Sequence, residues 1–368
     1  MSRPTLIKPP PSSEGKAPIE DVLELTALND IAPDLFTNTR KVWHPPGARG
    51  IYGGAVIAQC LAAAQKTVPP NFTVHSMHCY FVLNGNADIP IIFHVEHVRE
   101  GRSFATRTVQ ARQRGQPIFT TTLSFTRDGS GGKQTVQHQA RMPSDVPPPP
   151  AENEEPASIL RGVKSPFVTQ KVSIFNNNSE NPEEKRTRQW VKCRGRISDE
   201  GGHQAHLSAL AYMSDSYFIG TVARTHKLMR YDAVVLKQGD KSAKHLVPRS
   251  LVDKLKEMDI ETLRKYEEMD DELIDAIKTL DIKDGEIVGL KEKRPEIGMM
   301  VSLDHSIYFH NPKAFRADDW ILAEAETPWA GEGRGFVMQR MFSRDGTLIA
   351  SCVQEGVVRL KQELDSKL

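Results

Sequence analysis

The sequence predicts an α+β protein with two similar domains, each an antiparallel sheet wrapped around one central helix. Three observations predict it: two helical runs that are apolar on nearly all sides, the same order of strand-like segments after each run, and a break rich in proline and acidic residues between them. A helix without a charged face must be buried, and a curved sheet can enclose it.

The two halves of the chain share one order of elements. In the first half, the apolar run AVIAQCLAAAQ at 55–65 precedes the strand-like segment HSMHCYFV, which contains Tyr80. In the second half, HLSALAYMSDSYFI at 206–219 precedes DHSIYFH, which contains Tyr308. Hairpins of alternating polar and apolar residues close each half. This order is typical of a tandem (double) hot-dog fold, so we expect two antiparallel sheets, each around its own helix.

Changes in composition predict the domain boundaries. Between residues 128 and 158, four consecutive prolines and an acidic run favour an interdomain linker. A charged segment interrupts the second half, with its best helix predicted at 252–280; it is either a peripheral excursion or a lid or partner-binding element. The expected divisions are a disordered amino terminus at 1–20, an N-terminal hot-dog domain at 21–128, a linker at 129–160, a C-terminal hot-dog domain at 161–362 with the insertion at 226–296, and an exposed tail at 363–368.

Composition excludes several classes of protein. The 48 lysines and arginines against 47 aspartates and glutamates leave a formal charge of +1, so we expect no nucleic-acid partner. No stretch reaches the roughly 20 apolar residues of a membrane span. The four cysteines have no CxxC spacing, and histidine pairs such as His75 and His78 face opposite sides of a strand. We therefore expect neither a metal nor another cofactor.

Superposing the halves on their shared landmarks isolates three polar residues. Tyr80 is matched to Tyr308, and the turn at Gly115 to the turn at Gly346. Three polar residues of the second half then align with apolar residues of the first half. These pairs are Ser302 with Val74, Gln354 with Leu123, and Asp215 with Ala62 or Ala63. Polar groups at core positions are costly unless they are paired, and such a cost is usually tolerated for function. The alternatives are a partly exposed acid at a helix end for Asp215 and a satisfied core amide for Gln354.

Seven stretches, in order along the chain, are similar to landmarks of one family: FTNTRKVW, YGGAVIAQCLAAA, HSMHCYFV, VREGRSFATR, AYMSD, SLDHSIYFH and IASCVQEGVVR. The chain thereby resembles the type II acyl-CoA thioesterases over nearly its whole folded length, the insertion excepted. The resemblance implies a double hot-dog fold that hydrolyses fatty acyl-CoA with an aspartate, a serine or threonine, and a glutamine. Those roles fall on Asp215, Ser302 and Gln354.

Thioester hydrolysis needs a water that is activated and aimed at the carbonyl carbon. We expect Asp215 to be the general base, and Gln354 and Ser302 to hold the water in an attack geometry. The backbone amides of Gly53 and Gly54, at the start of the first helix, are candidates for stabilising the oxyanion.

Two points stay open at this level. Ser302 could instead be a nucleophile that forms an acyl-enzyme, but no histidine is identifiable as its base, because His305 is expected on the opposite face of the strand. Arg99, Arg102 and Arg107 could bind the phosphates of CoA or form a solvated strand edge.

The competing functions are an acyl-CoA hydratase or dehydratase and a non-catalytic acyl-CoA-binding protein. The first usually places an acid with a histidine in one loop, and no such pair lies beside Asp215. The final residues Ser366, Lys367 and Leu368 match the address read by the peroxisomal import receptor, which predicts that receptor as a partner and the peroxisomal matrix as location. A homodimer or larger homo-oligomer is also expected.

Overall fold

The computed structural model describes residues 15–43, 50–151, 154–158, 165–228, 249–283, 286–290 and 294–362. The α-helices in these ranges are Pro18–Leu23 (α1), Gly53–Gln65 (α2), Gly202–Met213 (α3), Gly220–Thr225 (α4), Arg249–Glu257 (α5), Ile260–Leu263 (α6) and Asp271–Lys278 (α7). The strands are Leu25–Ala27 (β1), Leu35–Asn38 (β2), Phe72–Phe81 (β3), Ile92–Glu100 (β4), Phe104–Gln113 (β5), Gln116–Arg127 (β6), Phe167–Phe175 (β7), Arg186–Cys193 (β8), Leu280–Lys283 (β9), Glu286–Leu290 (β10), Ile297–Ser302 (β11), Asp304–Phe309 (β12), Ile321–Gly331 (β13), Arg334–Ser343 (β14) and Leu348–Leu360 (β15).

Two predicted segments fall at the ends of the described chain. Helix α1 includes residues 18–20, so the end of the stretch predicted to be disordered is helical. The tripeptide 366–368 lies outside the described residues, as does the predicted disordered segment up to residue 14.

Within the described ranges, thirteen strands form one continuous antiparallel sheet instead of the two separate sheets predicted. Its order is β1-β2-β4-β5-β6-β3-β12-β15-β14-β13-β8-β7, with β11 also paired to β15. The two halves meet where β3 pairs with β12, with Met77 opposite Ile307. This pairing hydrogen-bonds backbone groups that would otherwise form two open sheet edges, which explains why the sheets join.

Helices α2 and α3 pack side by side and antiparallel beneath the sheet. Residues 54–61 of α2 and 207–213 of α3 are buried, as the apolar sequences of both helices predict. At one end of the pair Gln65 Nε2 donates to the carbonyl oxygen of Gln204 at 3.3 Å. Helix α2 packs against β3 to β6, and α3 against β8. In the described part of the chain, no helix is long and apolar enough to cross a bilayer.

The stretch predicted as a linker covers the second half of the sheet on the face opposite the helices. Asp145 forms an ion pair with Arg188 at 2.8 Å, and Trp190 Nε1 donates to the carbonyl oxygen of Pro147 at 3.0 Å. Met142 and Val146 pack against a second apolar cluster, formed by Val168, Trp190, Trp320, Leu322, Phe342 and Leu348. Residues 142–147 are therefore bound to the sheet along their length.

The charged insertion is built from short elements, α5 to α7 and the β9–β10 hairpin. The single helix predicted at 252–280 is wrong, because Asp259 and Asp270 each cap a new helix by accepting from a backbone N–H three residues on. Apolar residues of the insertion form a small core of their own, which contains Val252, Leu255, Leu263, Met269, Ile274, Ile277 and Leu280. Arg224 of α4 attaches it to the main body through a buried ion pair with Asp270 at 3.0 Å.

Candidate active site

The amino-terminal end of α2 lies against the carboxyl-terminal end of α3, and the close contact requires glycine. A Cβ atom on Gly54 would lie 2.2 Å from the carbonyl oxygen of Tyr212, and one on Gly53 would lie 2.6 Å from a carboxylate oxygen of Asp215. The Tyr52 hydroxyl donates to the same Tyr212 carbonyl at 3.1 Å. Any larger residue at 53 or 54 would push the two helix ends apart.

Asp215 lies in the turn after α3, beyond its last residue Met213, and not inside the helix as expected. Its Oδ2 accepts a hydrogen bond from Gly54 N at 3.0 Å, and its Oδ1 accepts one from Gln354 Nε2 at 2.8 Å. The positive end of the α2 dipole also faces the carboxylate. Burial raises the pKa of Asp215 to about 6, although the two hydrogen bonds lower it. This carboxylate is therefore ionised at neutral pH and still basic enough to accept a proton.

Gln354 is completely buried on β15, opposite Val337 of β14. Its amide nitrogen lies 2.8 Å from Asp215 Oδ1 and 3.3 Å from Nδ1 of His305. Its carbonyl oxygen has no hydrogen-bond partner among the described residues. An unpaired buried acceptor costs free energy, so this oxygen does not stabilise the fold. It is available to accept a hydrogen bond from a bound molecule.

Ser302 ends β11, is half-buried and lies opposite Gly356 of β15. Residues opposite each other in an antiparallel pair point to the same side, and so do Gly356 and Gln354, which are two positions apart. The Ser302 side chain thus shares a sheet face with Gln354. Within the described chain, Asp215 and Gln354 are in direct contact, whereas Ser302 makes no hydrogen bond to either of them.

A β-bulge between β11 and β12 changes which residues share this face. Ser302 pairs with Gly356 and Ser306 pairs with Val353, so the β11–β12 side has one more residue between these pairs than β15 has. The extra residue turns His305 to the same side as Ser302. The expectation that the two side chains face opposite ways is wrong, because it assumed an unbroken strand.

His305 was not expected in the site, yet it is fully buried there. Its Nε2 lies 3.0 Å from Ser214 Oγ, and its Nδ1 faces Gln354. Burial lowers the pKa of His305 to about 3, so the ring is neutral and a weak base. The superposition of the two halves could have identified His305 as well as Ser302, since it aligns the polar His305 with the apolar Met77 of the first half.

The two glycines predicted to stabilise an oxyanion are not equivalent. The N–H of Gly54 donates to Asp215 and is therefore already used. First-turn amides have no partner within their helix, so the N–H of Gly53 is the one of the two that stays a candidate donor.

The opposite end of the helix pair holds the counterparts of these residues. There Met77 of β3 lies opposite Leu123 of β6. Thr67 lies two residues after the end of α2, just as Asp215 lies two residues after the end of α3, so Thr67 is the counterpart of Asp215. Arg107 is completely buried and donates to Oγ1 and to the carbonyl oxygen of Thr67, both at 2.9 Å, and to Glu100 at 2.5 Å. Arg107 is thus neither part of a solvated edge nor free to bind a phosphate.

Family models match both halves of the chain. Residues 39–126 match the acyl-CoA thioesterase N-terminal domain, and residues 143–358 match the acyl-CoA thioesterase C-terminal domain. The chain belongs to the acyl-CoA thioesterase family. The resemblance to type II acyl-CoA thioesterases is thereby confirmed, and as a member of this family the chain is a thioester hydrolase.

Individual relatives agree with this assignment. Acyl-coenzyme A thioesterase 8 of Mus musculus is 32% identical over 95% of this chain and 92% of its own length. Peroxisomal acyl-coenzyme A thioester hydrolase 1 of Saccharomyces cerevisiae is 26% identical over 94% of this chain and 96% of its own. The crystal structure of acyl-CoA thioesterase II TesB2 from Mycobacterium marinum is similar with a TM-score of 0.59 and 25% identity, covering 94% and 99% of the two chains.

Proposed function

We propose that the protein hydrolyses fatty acyl-CoA to a free fatty acid and CoA, using a water that Asp215 activates. The observation that carries the proposal is a carboxylate with a pKa of about 6, held between Gly54 N and Gln354 Nε2 at the junction of two helix ends. A general base works best when its pKa lies near the operating pH and its position is fixed.

The proposed reaction proceeds without an acyl-enzyme. Asp215 takes a proton from the water while the water oxygen forms a bond to the thioester carbonyl carbon, and the Gly53 N–H stabilises the oxyanion. The carbon–sulfur bond then breaks, and the CoA thiolate leaves with the proton that Asp215 had taken. The unpaired carbonyl oxygen of Gln354 accepts the second hydrogen of the water, with Ser302 on the same face.

The test is thiol release from palmitoyl-CoA, read with a thiol reagent, over a series of acyl chain lengths. Hydrolysis by the wild type and its loss in Asp215→Asn are expected. A non-catalytic binder would release no thiol, and a hydratase would release none while changing the absorbance of an enoyl-CoA. Mass measurement after rapid quenching separates the two hydrolytic routes, since an acyl adduct on Ser302 would contradict the proposed one.

We also propose that each central helix, with the strands of its own half, is one hot-dog domain. The support is the arrangement of α2 under β3 to β6 and the matching order of strands in the second half. The proposed boundaries of the two domains are 21–128 and 161–362, and one family model matches within each half of the chain, at 39–126 and at 143–358.

The proposed location is the peroxisomal matrix. It is supported by the name of the yeast relative and by the sequence Ser366, Lys367, Leu368. A fluorescent protein fused to the amino terminus is expected to enter peroxisomes with the full chain and to stay outside them when residues 366–368 are deleted. The predicted homo-oligomer is tested separately by light scattering of the purified protein.

A further inference from the structure

His305 contacts both the glutamine of the site and the end of the helix that precedes Asp215. Its Nδ1 lies 3.3 Å from Gln354 Nε2, and its Nε2 lies 3.0 Å from the hydroxyl of Ser214, which is the C-cap of α3. The ring of Phe218 packs edge-on against it at 5.4 Å between centroids. The imidazole is therefore fixed on several sides.

The hydrogen-bond chemistry of its neighbours determines where the ring proton lies. The carboxylate of Asp215 is an acceptor, so the Gln354 group that faces it is the amide nitrogen, which only donates. The same nitrogen faces His305 Nδ1, which must then be the acceptor of the neutral ring, and the proton is on Nε2. The Nε2–H donates to Ser214 Oγ, and the Ser214 hydroxyl donates to the carbonyl oxygen of Ala211 at 2.9 Å. The chain of donors and acceptors is consistent throughout.

We propose that His305 is a positioning residue for thioester hydrolysis, which fixes the side-chain amide of Gln354 with its nitrogen toward Asp215 and its oxygen toward the reacting water. The inference rests on the proposed function, because it concerns the same reaction. A flipped amide would present its oxygen to the carboxylate, and that contact would be repulsive. It would also require the other tautomer of His305, for which the Ser214 hydroxyl must donate to Nε2 and give up its hydrogen bond to the Ala211 carbonyl. His305 thus adds a second acceptor that disfavours the flipped orientation.

The first half of the chain shows that the fold does not need a histidine at this position. The counterpart of His305 is Met77, which lies opposite Leu123, and both are fully buried apolar side chains. Among the residues that the structure describes, a buried imidazole with two hydrogen-bond partners is found only beside Gln354 and Asp215. Because His305 occurs together with Gln354 and Asp215, we assign it a role in the site and not a general role in core packing.

Two conservative variants separate the functions of the two ring nitrogens. In His305→Asn the amide oxygen can occupy the place of Nδ1 and accept from Gln354, whereas in His305→Gln the amide nitrogen can occupy the place of Nε2 and donate to Ser214. We expect His305→Gln to lower kcat about 10²-fold with little change in KM, because the Gln354 amide is no longer fixed. His305→Asn is expected to keep kcat within about threefold of the wild type.

The measurement is the kcat and KM of both variants with palmitoyl-CoA, with thermal unfolding as a check of folding. Equal losses of kcat in the two variants, or wild-type kcat in His305→Gln, would overturn the proposal. Should His305→Gln fail to fold, Ser214→Ala serves instead. That change removes the hydrogen-bond partner of Nε2 and leaves Nδ1 in place as the acceptor for Gln354. We therefore expect kcat to fall by less than about 10²-fold, and a fall of about 10²-fold or more overturns the proposal.

A readout that does not depend on activity keeps this inference distinct from the proposed function. In protein labelled with ¹⁵N-histidine, the signal that disappears in His305→Asn is expected to show an unprotonated Nδ1 and a protonated Nε2 from pH 5 to pH 8. The opposite tautomer, or a ring that titrates in this range, contradicts the assignment of His305. A wild type with this tautomer but no acyl-CoA hydrolysis would instead refute the proposed function alone.

Discussion

The two ends of helix α2 each lie beside a charged side chain, and they differ in how that charge is used. At the amino-terminal end is Asp215, and at the carboxyl-terminal end is Arg107, so both have the sign that the helix dipole favours. Arg107 donates to fixed partners on Thr67 and Glu100. At the other end Asp215 has a raised pKa, and the oxygen of its partner Gln354 has no hydrogen-bond partner in the part of the chain that the structure describes. Of these two charges, the one that indicates chemistry is therefore the one whose neighbours leave hydrogen-bonding capacity unused.

The sheet above these ends shows the same contrast. At one end Met77 lies opposite Leu123, and at the other His305 and Gln354 fill the counterpart positions with hydrogen-bonded polar groups. The same backbone accepts both sets of side chains. We therefore expect that each member of the polar set can be replaced by its counterpart without loss of the fold.

The largest effect is expected for Asp215→Asn. The amide can still accept from Gly54 N but cannot take a proton, so kcat is expected to fall about 10²- to 10⁴-fold with KM changing little. Thiol release from palmitoyl-CoA measures this. The matched control is Asp304→Asn, an acid on the neighbouring strand whose Oδ1 accepts from Glu355 N at 2.7 Å. A comparable loss in the control would mean that any acid near the site has this effect.

The effect of Asp215→Asn on the free energy of unfolding is also expected to depend on pH. Burial raises the folded-state pKa of Asp215 from 3.8 to about 6, so the ionised form is disfavoured in the folded protein. The stability that this group contributes is greatest below about pH 4 and is lost as the pH rises through about 6. Relative to the wild type, Asp215→Asn is therefore expected to be more stable at pH 8 than at pH 4, as measured by thermal unfolding. A relative stability that does not change with pH contradicts the raised pKa.

A smaller effect is expected for Gln354→Leu, which copies Leu123. The fold is expected to persist, while kcat falls about 10²-fold because the water loses an acceptor and Asp215 loses a donor. Loss of that donor also raises the pKa of Asp215, so the acidic limb of the rate profile moves to higher pH. The control is Gln113→Leu, a buried glutamine whose amide donates to backbone carbonyls of Asn86 and Ile89, where only stability is expected to fall.

The smallest effect on activity is expected for Arg107→Met, at the opposite end of α2. The variant removes hydrogen bonds from a charged donor, so the free energy of unfolding is expected to fall by about 1.5–3 kcal/mol. Its kcat is expected to stay within about threefold of the wild type, because Arg107 contacts neither Asp215 nor Gln354. A large loss of kcat in a folded variant would show that both ends act in the reaction.

Much of the site could be predicted from the internal repeat, and the errors came from backbone details. The strand registers support the matches of Ser302 with Val74 and of Gln354 with Leu123. A bulge follows Val74 within β3, and a bulge follows Ser302 between β11 and β12. The match of Asp215 with Ala62 or Ala63 was wrong, because composition alone does not mark where α3 ends.

Other features depend on contacts that no local pattern shows. The face of His305 depends on a bulge, and a bulge is set by the partner strand β15. The joining of two sheets into one depends on the register of β3 against β12, two strands separated by more than 200 residues. Capping by Asp259 and Asp270 was readable in principle, since an aspartate followed by a helical run is a start signal.

The pH dependence of kcat/KM is the most direct test of Asp215 as the base. The wild type is expected to lose activity below about pH 6, by about tenfold for each further pH unit, because protonated Asp215 cannot accept a proton from water. In Asp215→Asn the residual activity is expected to show no such limb. An acidic limb near pH 6 that persists unchanged in Asp215→Asn would contradict the account, because another group would then be the base.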